Sequence, residues 1–305
     1  MRLIYAATGD IAVPAFRYLL EHGPKPLALV TQPDKPVGRK QVLTPPMIKT
    51  VALEAGVPVL QPERAEDAVE ELAALEPEVV VVMAYGQILR EGFLNLAEQA
   101  IINLHASLLP KYRGAACIQA AIDAGDAETG ITSLHVVRKL DAGDIILKKR
   151  LAIGPEDTGG VIHDRLAVLA AEVLAETLEL IAGGGAVREP QVEAESSYIS
   201  KLERSDGRID WTMPAEEIER RIRAYDPWPG TYTMAEEGGK SKRLKIFPQT
   251  KVVTAALEPG EISAGERLVV GCGAGALELV TVQPDGGKRM GAEDYQRGRK
   301  PVRFS

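Results

Sequence analysis

Residues Val79-Val-Val-Val-Met83 are continuously apolar, and four of the five are β-branched. Such a run reads as a central strand covered on both faces, because it has no polar side to turn to water. Arg2–Ala7 reads as another strand, Thr8–Asp10 as a turn, and Ile11–His22 as a helix stopped by Gly23-Pro24. Pro26–Thr31 follows as a strand, so the chain opens as a βαβ unit, for which a right-handed crossover and parallel pairing are the rule. Helices at 47–55 and 65–75, a short strand at 57–60 and an apolar strand at 100–104 continue the alternation. The expected fold class is α/β: a Rossmann-like, mostly parallel N-terminal sheet with helices on both faces. The first turn lacks the Gly-x-Gly-x-x-Gly spacing that lets a backbone approach a pyrophosphate, which argues against a dinucleotide site.

Further along, Gly130–Val137 and Ile145–Ile153 read as two strands joined through Leu140-Asp-Ala-Gly-Asp144, a hairpin. Asp157-Thr158 can cap a long helix over 160–181, and Gly183–Gly185 ends it. Polar, irregular residues follow. The expected domains are therefore 1–184, a linker at 185–206, and a C-terminal domain at 207–305. The last of these has one helix, Ala215–Ala224, then short β-like segments separated by Gly-rich turns, which predicts a small OB-like β-barrel. Gly271-Cys-Gly-Ala-Gly275 has the look of a phosphate loop, but no helix follows it, so a hairpin turn is expected. Gln32–Pro46 is read as a long polar loop with four prolines and the cations Lys35, Arg39 and Lys40. A loop of this length is a solvated surface or a basic flap for an anionic substrate.

The 305 residues carry a net charge of −7. From Gly207 onward, 16 Lys and Arg stand against 14 Asp and Glu, a slightly basic tail on an acidic body. This permits salt-sensitive contact with a polyanion without requiring it. Cys117 and Cys272 are far apart and fit a reducing compartment. With no signal-peptide pattern and no long apolar run, the cytoplasm is expected and a membrane partner is not. His22, His135 and His163 share no metal-ligand spacing, so no metal is expected.

The chemistry concentrates at the end of the strand over 100–104. Asn103 and His105 are two residues apart, so in an extended chain they project to the same side. They sit at the C-terminal edge of a parallel sheet, where α/β proteins bind ligands. The loop Ala84–Leu89 should lie beside them. Imidazole can move a proton near neutral pH or donate to an oxyanion, and the carboxamide can donate without changing charge. Asp141, if it reaches the ring, would set the tautomer. On residue types alone a turn-forming Asp and a satisfied His are the commoner outcome. No serine or cysteine stands in a nucleophile elbow, so direct transfer to an amine suits these residues better than a covalent acyl-enzyme.

The stretch Asn103-Leu-His-Ala-Ser-Leu-Leu-Pro-Lys-Tyr-Arg-Gly-Ala115 resembles the signature of the folate-dependent formyltransferases. Gln32-Pro-Asp34, Ala84-Tyr-Gly86, Leu140-Asp-Ala-Gly-Asp144, Arg208-Ile-Asp-Trp211 and Pro227-Trp-Pro229 extend the likeness over nearly the whole chain, toward the branch that acts on methionyl-tRNA. The resemblance implies formyl transfer from 10-formyltetrahydrofolate to the methionine amine of initiator tRNA, by a cytoplasmic monomer. It implies that Asn103, His105 and Asp141 surround the tetrahedral intermediate. It also implies that Ser107, Leu108, Leu109 and Pro110, with backbone near Tyr85 to Ile88 and Leu140, hold the folate. Arg39, Lys40, Lys242 and Arg243 would contact tRNA, with Lys240, Lys288 and Arg289 as further phosphate contacts. Two positions depart from the family pattern: Lys40 replaces a usual glycine, and Cys117 a usual proline. The alternatives are a formyltransferase for a small amine, such as an amino-sugar nucleotide or glycinamide ribonucleotide, and an inactive binding module.

Overall fold

Strand β1 (Leu3–Ala7) shows why this chain layers as it does. Its five residues are fully buried, and alternate side chains go to opposite faces. Tyr5 packs on Phe16 of helix α1 (Val13–His22), ring centroids 5.2 Å apart. Ile4 and Ala6 join a separate cluster with Leu72 and Phe93. The sheet is thus covered on both sides, as the apolar runs demand.

The computed structural model describes residues 1–38 and 40–305; the expectation for Arg39 lies outside the described residues. After α1 come β2 (Ala28–Val30), β3 (Lys35–Val37), β4 (Val42–Thr44), α2 (Met47–Glu54), β5 (Val59–Leu60) and α3 (Val69–Ala73). Then follow β6 (Val79–Met83), α4 (Glu91–Leu94), β7 (Ala100–His105), β8 (Arg113–Gly114), α5 (Cys117–Asp123), β9 (Glu128–His135), β10 (Ile145–Ala152), α6 (Gly159–Ala182) and β11 (Tyr198–Ile199). The main sheet has the order β10-β9-β7-β6-β1-β2-β5. From β5 to β7 every pairing is parallel; β9 joins β7 antiparallel, with His105 opposite Thr132. Asn103 stands opposite Val82 at the exit of β6, so the loop after β6 leaves the sheet beside Asn103.

The polar segment 32–46 is not wholly irregular. β3 and β4 pair antiparallel in it, Lys35 opposite Thr44, with all six strand residues exposed. No buried face imposes a period of two on this hairpin, so hydrophobic alternation could not announce it. Helix α6 ends as expected. Gly184 takes φ +68° and Gly185 N–H donates to the Leu180 carbonyl at 2.8 Å, closing a left-handed C-cap.

Two compact units emerge. One comprises Met1–Gly114, Thr129–Leu151 and His163–Ile199; the other comprises Ala115–Glu128, Ala152–Ile162 and Ser200–Ser305. The second contains α7 (Ala215–Ala224), β12 (Thr231–Glu237), β13 (Lys240–Ile246), β14 (Lys251–Val253), β15 (Val269–Gly271), β16 (Ala276–Glu278), β17 (Thr281–Pro284), β18 (Met290–Gly291) and α8 (Ala292–Arg299). Its strands form two antiparallel sheets, β12-β13-β17-β18 and β14-β16-β15. One core serves both, including Trp211, Ile222, Leu244, Leu277 and Phe304. Trp211 is buried with its Nε1–H on Thr233 Oγ1 at 2.9 Å, which satisfies the indole donor. The hairpin β12–β13 runs further than the apolar pattern indicates, through Glu237 and Lys240. Gly238 and Gly239 take φ of +54° and +74°, the handedness a tight two-residue hairpin turn requires. Residues 272–275 turn β15 into β16 as a hairpin and not a phosphate loop.

Candidate functional site

The site lies in the first unit, where β7 ends. Asn103 Nδ2 donates to Asp141 Oδ1 at 3.2 Å, and His105 Nδ1 lies 3.7 Å from Asp141 Oδ2. The three side chains singled out from the sequence therefore converge. His105 is 6% exposed, and its Nε2 lies 2.9 Å from the Tyr112 carbonyl. A carbonyl only accepts, so Nε2 carries the hydrogen. The tautomer is thus set by backbone at Tyr112, and Asp141 faces the other ring nitrogen. This differs from the expectation that Asp141 sets the tautomer.

Asp141 has φ +49°, left-handed backbone outside helix and strand. Its Oδ2 accepts the Gly114 N–H at 2.9 Å, so each carboxylate oxygen has a donor. Gly114 has φ +107°, and a Cβ there would stand 2.2 Å from the Ile199 carbonyl oxygen. Only glycine can bring its amide to Asp141 along this path. The Tyr112 carbonyl and the Gly114 amide were not foreseen as site groups. They are backbone atoms, and residue type carries no signal for them.

Ser107–Pro110 form a turn braced from β9. Thr132 Oγ1 donates to the Ser107 carbonyl at 2.6 Å and accepts the Leu109 N–H at 3.1 Å. Ser107 Oγ donates to the Lys111 carbonyl, and Lys148 Nζ to the Leu109 carbonyl at 3.0 Å. Leu109 is buried. An open cleft of about 480 Å³ is lined by Leu108–Lys111 with Lys148, Arg150, Glu195 and Ser197.

The other expected folate contacts divide. Ile88 and Leu140 are 84% and 60% exposed, so both side chains are open to solvent. Tyr85 is the opposite: its side chain is in the core, where burial pushes the phenol up to about 12. Its carbonyl accepts from Thr8 Oγ1 at 3.0 Å and Gln32 Nε2 at 2.7 Å. The buried ring and bonded carbonyl of Tyr85 fix the start of this loop, whose backbone is the part expected to meet folate.

Of the residues expected to meet tRNA, Lys40 is exposed in the turn between β3 and β4. In the second unit, Lys242 pairs with Glu237 at 3.1 Å, and the Arg243 guanidinium stacks 3.7 Å from the Tyr232 ring centre. Among the described residues, no group of three or more His, Cys, Asp and Glu could hold a metal ion, and no helix is long and apolar enough to cross a membrane.

Residues 17–178 match the formyl transferase family, and residues 201–300 match the formyl transferase C-terminal domain. The chain is similar to the methionyl-tRNA formyltransferase of Akkermansia muciniphila, 53% identical over 296 residues, covering 95% of this chain and 94% of that one. It is 43% identical to the methionyl-tRNA formyltransferase of Marinobacter nauticus over 307 residues, covering 99% and 97%. Among solved structures, an N-formyltransferase from Helicobacter canadensis, in complex with folinic acid and dTDP-3-aminofucose, has a TM-score of 0.68 at 20% identity, covering 92% of this chain and 98% of that one. HypX from Aquifex aeolicus, in complex with tetrahydrofolic acid, has a TM-score of 0.64 at 17% identity over 97% of this chain; the chain spans about half of HypX, 47%. At those identities the two structures speak for the fold alone. The full-length relatives speak for more, and the chain belongs to the methionyl-tRNA formyltransferases of the formyl transferase family.

Proposed function

We propose that the protein transfers the formyl group of 10-formyltetrahydrofolate to the α-amine of methionine on initiator tRNA. The products are N-formylmethionyl-tRNA and tetrahydrofolate, and the enzyme acts as a cytoplasmic monomer. The amine nitrogen attacks the formyl carbon to give a tetrahedral intermediate. The bond from that carbon to folate N10 then breaks, the amine loses a proton and N10 gains one. The observation that carries this reading is the meeting of Asn103, His105 and Asp141 at one sheet edge, in a chain 53% identical to a methionyl-tRNA formyltransferase.

Each group has a role its bonding suits. One Asn103 N–H is engaged by Asp141, and the carboxamide has a second to offer the oxyanion. His105 Nε2–H is committed to Tyr112, so proton traffic passes through Nδ1, where Asp141 stands to stabilise a charged ring. Ser107–Pro110, with backbone near Tyr85 to Ile88 and Leu140, hold the folate, and the exposed Ile88 and Leu140 side chains cover it. Lys40, Lys242 and Arg243, together with Arg39, contact tRNA phosphates. The Gly207–Ser305 segment is the tRNA-binding domain.

The test is a formylation assay with purified protein, 10-formyltetrahydrofolate and charged initiator tRNA. His105→Ala should lower the rate by orders of magnitude, roughly 10²–10⁴-fold. An unchanged rate would remove His105 from the chemistry, and no product from the native protein would end the reading.

A further inference from the structure

The stretch 179–200 lies between the two family matches and overlaps the linker expected at 185–206. In the first unit its side chains reach the loop that carries Asp141. Gln191 Nε2 donates to the Asp141 carbonyl at 2.8 Å and to the Gly143 carbonyl at 2.8 Å. Gln191 Oε1 accepts from Arg113 Nε at 3.0 Å and Nη2 at 2.9 Å. Carbonyls only accept and guanidinium only donates, so this amide orientation is the one that satisfies all four bonds. Arg113 is buried, its side chain 1% exposed, and its Nη1 reaches Glu193 Oε2 at 3.0 Å and Tyr198 Oη at 2.8 Å. Glu193 also takes Lys139, just before the Asp141 loop. Glu189 closes the other side, exchanging backbone hydrogen bonds with Ile145.

We infer that Gln191, oriented by buried Arg113, is a positioning residue for formyl transfer. It holds the 141–143 turn from outside the family-matched domains, so that Asp141 meets Asn103 and His105. The physical need is plain. Asp141 is in left-handed backbone, a conformation that persists only where the surroundings over-determine it. Its carboxylate is directed by Gly114, the neighbour of Arg113, so both ends of Asp141 are tied to one strand pair, β8 with β11. This inference rests on the proposed function for its kinetic readout and not for its structural one.

Gln191→Glu separates positioning from bulk stability. It keeps the length of the side chain and an acceptor for Arg113, but replaces two N–H donors with an oxygen facing two carbonyls. The expected result is a kcat lower by roughly 10–100-fold, as small displacements of a reacting group produce. KM for folate and for charged tRNA should stay within about twofold, because neither substrate is bound by Gln191. Amide hydrogen exchange over residues 138–144 should accelerate in the same variant. Gln191→Met, which also removes the acceptor for Arg113, should add a lower Tm. Native kcat together with native exchange in Gln191→Glu would overturn the inference, as would a rise in KM with kcat intact. If the native protein makes no formylated product, the functional reading fails, while the exchange measurement still decides whether Gln191 holds the loop.

Discussion

Asn103 Nδ2 and Asp141 Oδ1 stand 3.2 Å apart, a donor of fixed charge against a carboxylate that also holds a backbone amide. Replacing Asn103 by Asp would set two carboxyls at hydrogen-bond distance, and like charges that close do not both ionise. Asn103→Asp should therefore reduce kcat by at least about 10²-fold, through loss of the oxyanion donor, with the protein still folded. Steady-state formylation and a thermal melt of the variant check this.

Gly114→Ala should damage both fold and rate. A Cβ there would stand 2.2 Å from the Ile199 carbonyl oxygen, on backbone of φ +107°. Backbone strain of this kind costs about 1–3 kcal/mol before the overlap is relieved, and relief moves the amide that holds Asp141. A lower Tm accompanied by a lower kcat is expected; a variant with native values for both would show that β8 can shift without consequence.

Ile88 and Leu140 are exposed, so their replacement should leave stability nearly untouched. If they cover the folate, Ile88→Ser and Leu140→Ser should each raise KM for 10-formyltetrahydrofolate several-fold, about 1 kcal/mol of apolar contact apiece. Unchanged KM with both variants would move the folate elsewhere.

Lys40 sits exposed between β3 and β4, within a hairpin that buries none of its six strand residues. Lys40→Ala should weaken tRNA binding and lower the slope of log affinity against log salt by about one. Its effect on folate affinity should be nil. Binding titrations across a salt series measure both.

His163 connects Asp10 and Asp164, with Nε2 to Asp10 at 3.3 Å and Nδ1 to Asp164 at 2.9 Å. The hydrogen bond to Asp10 is the main cause that holds the His163 ring above its ordinary 6.5. The hydrogen bond to His163 in turn holds Asp10 below its ordinary 3.8. A raised histidine contributes fully below 6.5 and loses its contribution as pH rises through its folded value; a depressed aspartate contributes above 3.8 and loses it on acidification. Asp10→Asn should then lower Tm at pH 6 and have little effect at pH 9, by under about 1 kcal/mol for a partly exposed pair. Equal effects at the two pH values would refute the linkage.

The strands of the main sheet were legible because burial on both faces leaves an unbroken apolar run, as in Val79–Met83 and Leu3–Ala7. Helix α6 was legible from its cap and its terminal glycines. The β3–β4 hairpin and the full length of β12–β13 were not, because exposed or half-exposed strands carry little alternation and are set by turn geometry instead. Asn103 and His105 could be paired from spacing alone, since an extended chain puts alternate side chains on one side.

What local order along the chain determined was which elements form, and which two polar groups share the end of β7. Only the folded structure decided that Asp141, 38 residues from Asn103, meets them, that backbone at Tyr112 assigns the imidazole hydrogen, and that Gln191 braces the turn from a segment with no motif of its own. The reason is the range of the forces involved. Apolar periodicity and turn propensity act between near neighbours and are written in residue types. A hydrogen bond to a carbonyl acts wherever tertiary packing brings a donor, and every residue has a carbonyl, so the sequence leaves no mark of which one is used.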